Sequence, residues 1–375
     1  MRVGRYISQL SGDLKYRAFI PNKLPFSIKM DDVLQSLLSD ANTALGRLDG
    51  VADILPDVDF FILMYVRKEA TLSSRIEGTQ ATFVDVLKAE ANIKDVDVHK
   101  DVDEVLNYIN AMNYGLKRLK KLPLSSRLIK EIHKILLHGV RGKLKLPGEF
   151  RRSQNWIGGP SIRTAVFVPP PHVEMESLMS NLEKYLNDVS PASVLLKTGI
   201  MHVQFETIHP FLDGNGRVGR LLMTFYLCQK KLLKRPLLYL SDYFNLHRQV
   251  YYDKLNAARE KDDLEGWLKF YLEGVVETSK QALDTAKKII KMRERHKDIV
   301  IGMGRVVDRS NILLNELFKS PMVRIKDVEK ITGLSNPNAI VLVDKFERAG
   351  LLKEITGHRR NRIYIYDEYV KLFSR

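Results

Sequence analysis

The twelve residues from position 209 to position 220 constrain this chain more than any other part of its sequence. They read His-Pro-Phe-Leu-Asp-Gly-Asn-Gly-Arg-Val-Gly-Arg and run directly into the apolar segment 221–228. The apolar segment predicts a buried helix, so the glycines at positions 214 and 216 lie where that helix begins. Glycine lets the backbone approach a ligand closely, and the first N–H groups of a helix attract anions. The stretch therefore predicts a phosphate-binding loop at a helix N-terminus.

The side chains of this loop predict a set of roles around a bound polyphosphate. Arg217 and Arg220 are three residues apart, so we expect both guanidinium groups to bind the same anion. Asp213 can hold a divalent metal ion, because Mg²⁺ on a nucleotide prefers one or two carboxylates. His209 can act as the general base, since an unperturbed imidazole has a pKa of about 6.5. We expect Asn215 to donate a hydrogen bond to the same anion.

The twelve residues resemble the Fic family signature, His-Pro-Phe-x-(Asp/Glu)-Gly-Asn-Gly-Arg-x-x-Arg, at every defined position. The resemblance implies protein adenylylation, in which AMP passes from ATP to a hydroxyl group of a target protein and pyrophosphate leaves. His209 would then deprotonate the hydroxyl, and Asp213 would bind Mg²⁺ between the α- and β-phosphates. Gly216 favours AMP transfer over phosphate transfer, because the related Doc kinases lack this second glycine.

ATP is thus the expected substrate and Mg²⁺ the expected metal ion. The glycines of the loop would cradle phosphate, and the two arginines would contact its β/γ end, which suits a reaction that needs mainly positioning and charge stabilisation. The residues expected to bind ATP are Glu77, Phe211, Leu212, Asp213, Gly214, Asn215, Gly216, Arg217, Arg220 and Tyr251.

A second motif lies upstream, on a predicted inhibitory helix over about 58–78 with its C-cap at Gly78. From Ser73 to Gly78 it matches the inhibitory motif of Fic proteins, (Ser/Thr)-x-x-x-Glu-(Gly/Asn). The resemblance implies that Glu77 pairs with Arg220 and keeps the γ-phosphate of ATP from its productive position, because a carboxylate can compete with phosphate for a guanidinium. The alternative is a solvated carboxylate at a helix end. Whether Glu77 also supports removal of AMP is left open.

Residues 148–171 predict a flap between the two motifs. Two adjacent glycines and a proline at 158–160 separate two short β-prone runs, which is typical of a hairpin, and prolines from position 169 end it. The Fic resemblance implies that this flap docks the target segment by strand-like backbone pairing. The alternative is an ordinary surface loop. The expected docking residues are Ile157, Ala165, Val166 and Phe167.

Tyr251 lies on a predicted amphipathic helix over 248–261. By resemblance it lies near adenine, where an aromatic ring could stack on the base; a plain core position is the alternative. Family members usually carry Asn-Arg-x-x-Tyr-Tyr here, and this chain departs from the pattern with His247.

Helical spacing of apolar residues recurs along the chain, so the fold is predicted to be mainly α. We expect a Fic all-helical core with a small β-hairpin flap, plus a C-terminal winged helix domain. Helices are predicted over 102–119, 126–137, 173–186, 193–205 and 264–290, after an extended, proline-containing N-terminal stretch. The expected units are an N-terminal Fic-associated region over 1–100, the core and its following helices over 101–300, and the winged helix-turn-helix over 305–375.

The C-terminal unit is predicted from the order of its elements. Helices over 310–318, 326–332 and 335–348 precede two β-like runs over 351–356 and 362–366, with a basic turn between them as the wing. Residues 287–375 contain 20 Lys and Arg against 11 Asp and Glu, so much of the net charge of +15 lies here. DNA is therefore an expected partner, but a protein-interaction module is an equal alternative, since charge alone favours only non-specific binding.

At the level of the whole chain, the enzyme competes with a DNA-binding transcriptional regulator whose Fic core senses a nucleotide. Intact His209 and Asp213 favour retained chemistry, because a sensor could lose the base. The single cysteine, Cys228, cannot form an internal disulfide, and the chain lacks an N-terminal apolar segment and any run of about 20 apolar residues. We expect a cytoplasmic homodimer that does not use a membrane. His133 and His138 are five apart, which argues against a zinc site.

Overall fold

The computed structural model describes residues 1–12, 15–55, 58–91, 99–189 and 192–374. The chain begins with an antiparallel hairpin of β1 (Gly4–Gln9) and β2 (Tyr16–Pro21), in which the first residue of β1 lies opposite the last of β2. The sequence predicted only an extended stretch here. The N–H of Phe19 donates to the carbonyl of Val168 at 3.0 Å, so the hairpin is joined to the end of the flap segment.

The N-terminal region continues as helices: α1 (Asp32–Ile54), α2 (Val58–Ile76), α3 (Phe83–Glu90) and α4 (Val102–Arg118). Polar caps start two of them: the Asp31 side chain accepts from the third residue of α1, and Thr82 forms a capping box with Asp85 at α3. The predicted inhibitory helix is α2. It ends just before Gly78, whose φ of +97° is a conformation that glycine adopts readily.

The central part of the chain is also helical: α5 (Ser126–Leu136), α6 (Met175–Asn187), α7 (Val194–Ile208), α8 (Asn215–Gln229), α9 (Ser241–Leu246), α10 (Arg248–Glu260) and α11 (Leu264–Ile301). Nearly every residue of α7 and α8 is buried, so this antiparallel pair forms the centre of the core. Helix α11 extends 11 residues beyond its predicted end at position 290 and packs along α1.

The C-terminal module (residues 305–374) contains α12 (Val307–Lys319), β3 (Met322–Arg324), α13 (Ile325–Thr332), α14 (Asn336–Arg348), β4 (Lys353–Glu354), β5 (Ile363–Ile365) and α15 (Asp367–Lys371). The strands form one antiparallel sheet in the order β3-β5-β4. The three predicted helices and the two predicted β-like runs occur in the expected order, whereas β3 and α15 were not predicted.

Aromatic rings join this module to α2. The ring of Phe373 lies 5.3 Å from that of Tyr65, 6.4 Å from Phe61 and 6.3 Å from Phe83, measured between ring centroids. Rings at these distances and with largely buried faces stabilise the contact by packing and by edge-to-face interaction. The helix that carries the second motif is therefore held from outside by the end of the chain.

The flap contains only a minimal hairpin. Ile157 and Phe167 form a single antiparallel bridge, in which the Ile157 N–H donates to the Phe167 carbonyl at 2.8 Å. Gly158 and Gly159 both have positive φ, so the backbone turns sharply there. The predicted β-hairpin is thus present as one bridge rather than as two strands.

Among the described residues, none of the helices combines the length and the apolar character needed to cross a bilayer.

Candidate active site

The loop between α7 and α8 is closed by its own hydrogen bonds. His209 has a left-handed φ of 50°, which turns the chain out of α7. Asn215 then accepts from the Phe211 N–H and donates to the Phe211 carbonyl, both at 2.8 Å. The residue is 2% exposed, and these two bonds shape the loop from which backbone N–H groups begin α8. The expectation that Asn215 donates to a bound anion stays a prediction.

Two residues that the sequence analysis did not assign to the site hold this loop in place. The His133 ring stacks on Phe211 at 3.7 Å, and its Nε2 lies 3.0 Å from the Asp213 carbonyl oxygen. Arg151 is 2% exposed; its Nε donates to the His209 carbonyl at 3.0 Å, and its Nη2 donates to the Pro170 carbonyl. Arg151 therefore ties the start of the loop to the end of the flap. A basic residue inside the flap motif was the only sequence signal for it.

Arg220 is bound by the upstream motif. Its Nη2 donates to Glu77 Oε1 at 2.7 Å and to the Ser73 carbonyl at 2.8 Å, while its Nε donates to Ser73 Oγ at 2.8 Å. Burial acts to raise the pKa of Glu77, but the Arg220 guanidinium outweighs it and holds that pKa below its usual value. The predicted pair of Glu77 and Arg220 is therefore formed, and all three hydrogen bonds come from residues of α2 or its immediate end.

Arg217 is bound by a different carboxylate. Its Nη1 donates to Glu104 Oε2 at 3.0 Å, and both side chains are almost fully buried. The sequence predicted that the two arginines would share one anion; in this structure each lies against a glutamate from a separate N-terminal helix. Glu104 was missed because it lies 113 residues from its partner and no local pattern marks it. Its second oxygen, Oε1, lies 3.6 Å from Arg141.

Asp213 is the carboxylate that remains accessible in the loop. Its side chain is 35% exposed, and its Oδ1 accepts from the Gly214 N–H at 2.6 Å. A single, partly exposed carboxylate beside a row of helix N–H groups suits Mg²⁺ bound to a nucleotide, which takes few protein ligands. No cluster of three or more acidic, histidine or cysteine side chains occurs in the described part of the chain, so an all-protein metal cage is not formed there.

His209 lies in a strongly desolvating environment. Burial, together with the nearby Arg259 and Arg151 guanidinium groups, lowers the pKa of His209 to about 3. This is well below the unperturbed imidazole value of about 6.5. Its Nδ1 is buried without a hydrogen-bond partner among the described residues. The ring is thus neutral across the physiological range and can accept a proton from a ligand.

A cavity of about 400 Å³ connects the two motifs, the flap and α10. It is lined by Glu77, Ile157, Gly158, Val166, Phe167, Glu206, His209, Gly216, Arg220, Gln249, Tyr251, Tyr252, Asp253, Leu255, Asn256 and Arg259. Its volume is in the range of small-molecule sites. The structure thus brings His209, Arg220, Glu77 and the flap together around one space.

Other predicted residues lie apart from this cavity or have further roles. Phe211 is fully buried beneath His133, and Leu212 and Ala165 are half-buried beside the cavity rather than in its lining. Tyr251 lines the cavity but is only 1% exposed, and its hydroxyl lies 2.8 Å from His202 Nε2. It is therefore both a core residue and a wall of the cavity.

Gly216 leaves space for the carboxylate of Glu77. A Cβ atom at this position would overlap with Glu77 Oε1 and would lie 3.0 Å from Arg220 Nη1. A side chain here would therefore force the Glu77 carboxylate to move from its place beside Arg220.

Comparison with known proteins identifies the family of this chain. Residues 35–117 match the Fic/DOC family N-terminal region and residues 123–227 match the Fic/DOC family, which together span half of the sequence. The chain belongs to the Fic/DOC family.

Its curated relatives include a probable protein adenylyltransferase of Aquifex aeolicus, 30% identical over 53% of this chain and 62% of that protein. Another is the protein adenylyltransferase Fic of Drosophila ananassae, 31% identical over 52% of this chain and 39% of that protein. The chain therefore spans less than two thirds of the length of these relatives.

Solved structures share the fold. A Fic family protein from Desulfovibrio desulfuricans superposes with a TM-score of 0.58 at 19% identity, covering 90% of this chain and 97% of the other. A Fic domain-containing signalling protein from Bacteroides thetaiotaomicron gives a TM-score of 0.50 at 19% identity, over 68% and 97% of the two chains. Both support the mainly α fold.

Proposed function

We propose that this protein is a protein adenylyltransferase that moves AMP from ATP to a hydroxyl group of a target protein. The observation that carries the proposal is the convergence of His209, Gly216 and Arg220 on one cavity beneath the flap. Relatives that bear the name protein adenylyltransferase support it.

In the proposed reaction the target oxygen attacks the α-phosphorus of ATP, and the bond from that phosphorus to the bridging oxygen of the β-phosphate breaks. His209 takes the proton of the hydroxyl, and pyrophosphate leaves with the electron pair. The helix N–H groups after Gly214 stabilise the charge that develops on the phosphates. Asp213 would hold Mg²⁺, which supplies charge neutralisation between the α- and β-phosphates.

Glu77 is proposed to keep the enzyme inactive. While its carboxylate holds Arg220, that guanidinium is unavailable to the γ-phosphate, and the carboxylate itself repels the phosphates. Release requires Glu77 to leave Arg220.

We propose that the flap binds the target as an added strand. Ile157, Val166 and Phe167 lie at the cavity, and Ile157 already pairs across the flap. An extended segment of the target can continue such pairing and bring one hydroxyl to His209.

The C-terminal module is proposed to be a winged helix-turn-helix. Its helices α12, α13 and α14, its small antiparallel sheet and its exposed basic turn over 357–362 support this assignment. DNA is one candidate partner, and a second protein is the other, because Ile340 and Val341 are exposed on α14. A cytoplasmic homodimer remains a prediction, as does the alternative of a transcriptional regulator that uses its Fic core as a nucleotide sensor.

The test is AMP transfer from α-labelled ATP with Mg²⁺ to the chain itself and to lysate proteins. Glu77→Gly is expected to raise labelling at least tenfold over wild type, and His209→Ala in the Glu77→Gly background should remove it by at least a hundredfold. His138→Ala, which changes an exposed histidine, is the matched control and should keep the label. No label in any variant, together with binding of the chain to DNA, would support the regulator instead.

A further inference from the structure

We propose that Glu206 binds the nucleoside part of the nucleotide and selects it through a hydrogen-bond donor of the base or ribose. The residue lies on α7, one turn before His209, and lines the same cavity. It belongs to neither of the two motifs identified in the sequence. The inference rests on the proposed function only in taking ATP as the ligand.

The carboxylate of Glu206 is buried and lacks a donor. The residue is 6% exposed, and its Oε1 has no hydrogen-bond partner among the described residues. A buried carboxylate without a donor is costly, so such a group usually serves a ligand or takes up a proton. Burial raises the pKa of Glu206 to about 7, in keeping with a site that lacks a permanent donor.

The neighbouring guanidinium groups are committed elsewhere. Arg220 donates to Ser73 and Glu77, and Arg259 donates through its Nε to Thr207 Oγ1 at 3.1 Å. Both arginines lie close enough to act on the carboxylate through charge, yet neither satisfies Oε1. The carboxylate lines the cavity, so a molecule bound there can supply the donor that the protein does not.

Gly219 makes room for this carboxylate. A Cβ atom at Gly219 would overlap with Glu206 Oε1, so a side chain there would force the carboxylate to move. The carboxylate thus occupies space that α8 leaves beside α7.

The chemistry of the ligand limits what Glu206 can bind. Phosphate oxygens are acceptors and are repelled by a carboxylate, so the polyphosphate belongs on the loop and the helix N–H groups. The donors of ATP are the ribose hydroxyls and the exocyclic amine of adenine. A carboxylate that accepts from one of them discriminates against a nucleotide lacking that donor, because a charged hydrogen bond is then lost.

The experiment measures the Kd of the full chain for ATP, 2′-deoxy-ATP, 3′-deoxy-ATP and inosine triphosphate. The deoxy nucleotides each lack one hydroxyl, and inosine triphosphate carries a carbonyl in place of the amine. Wild type should bind one of the analogues at least tenfold more weakly than ATP. That analogue identifies the donor that Glu206 accepts from.

Glu206→Ala should weaken the binding of ATP at least tenfold, to the affinity that wild type has for that analogue. The Kd of the analogue itself should change less than threefold in this variant. Glu206→Gln, which keeps the shape of the side chain, should reduce the same preference and guards against misfolding, with Tm measured for both variants. The matched control is Glu176→Gln, an exposed glutamate on α6 that does not line the cavity, which should leave the preference unchanged.

The inference is overturned if Glu206→Ala and Glu206→Gln bind ATP with a Kd within threefold of wild type. It is also overturned if the two variants bind all four nucleotides more weakly by the same factor. The latter result would make Glu206 a packing residue. Binding is read without catalysis, so a chain that binds ATP selectively but transfers no AMP would contradict the proposed function and leave the role of Glu206 standing.

Discussion

At the scale of single residues, the site is organised by buried charges whose partners lie far away in sequence. The signature arginines, the base and the anion loop could be predicted, because the motif places them within twelve positions. The partner of Arg217 could not be predicted, since Glu104 reaches it only through the packing of α4 against α8. The lowered pKa of His209 could not be predicted from the sequence either, because it depends on burial and on the Arg259 and Arg151 guanidinium groups.

Buried histidines predict a loss of stability in acid. His202 is fully buried beside Tyr251, and burial lowers its pKa to about 3. Below pH 6.5, His202 takes up a proton in the unfolded chain but not in the folded one. The stabilising contribution of the neutral, buried ring is therefore present above pH 6.5 and is lost as the pH falls towards 3. We expect this proton uptake to lower the free energy of unfolding by about 1.4 kcal/mol per pH unit between pH 6 and pH 4.

Denaturant unfolding across this range measures the slope. His202→Gln should flatten it by about one proton, whereas His358→Gln, a change of an exposed histidine in the wing, should not. An equal slope in wild type and His202→Gln would contradict the assignment of His202 as a neutral core histidine.

At the scale of elements, apolar periodicity predicted α2, α4, α5 and α8 to within a few residues, because each carries a buried face. The hairpin of β1 and β2 was not predicted, since its strands depend on the contact between Phe19 and Val168. The flap was predicted with more strand than it has, because β-prone residues there contact the cavity and β2 rather than a long partner strand.

Two helical glycines should respond to alanine in opposite ways. Gly115 lies where α4 crosses α8, and a Cβ atom there would overlap with the Phe225 ring. Gly46 lies in α1, and a Cβ atom there would have no neighbour within 4 Å. We expect Gly115→Ala to lower the free energy of unfolding by about 1–3 kcal/mol through overpacking. Gly46→Ala should raise it by about 0.5–1 kcal/mol through helix propensity.

Urea unfolding of the two variants side by side measures this difference. Because the substitution is the same, a general effect of alanine cannot produce opposite signs. A Gly115→Ala chain as stable as wild type would mean that α4 can move away from α8, and the tight crossing would then not be a fixed feature of the core.

At the scale of the whole molecule, the end of the chain supports the helix that carries Glu77. Truncating Phe373 to alanine removes the ring that packs on Tyr65, Phe61 and Phe83. We expect a loss of about 3–4 kcal/mol in the free energy of unfolding, as for other buried phenylalanines. Hydrogen exchange should speed up in α2, because its outer face is then open to local unfolding.

Exchange measured peptide by peptide distinguishes this from a general loosening of the C-terminal module. Ile340→Ala removes an exposed side chain from α14 and should leave exchange in α2 unchanged. Equal exchange of α2 in wild type and Phe373→Ala would show that the aromatic contact does not restrain the helix. If α2 is loosened and the proposed inhibition holds, AMP transfer should rise in the same variant.

The contact between Gly216 and Glu77 limits how this protein could change by mutation. Any side chain at position 216 would displace the carboxylate of Glu77. Under the proposed function, it would also enter the space that the phosphates of ATP take on the loop. A substitution there would thus remove the inhibition by Glu77 and prevent AMP transfer at the same time. Under the proposed function, a permanently active descendant of this chain can arise through changes in α2 or in the residues that pack on it, and not through the loop itself.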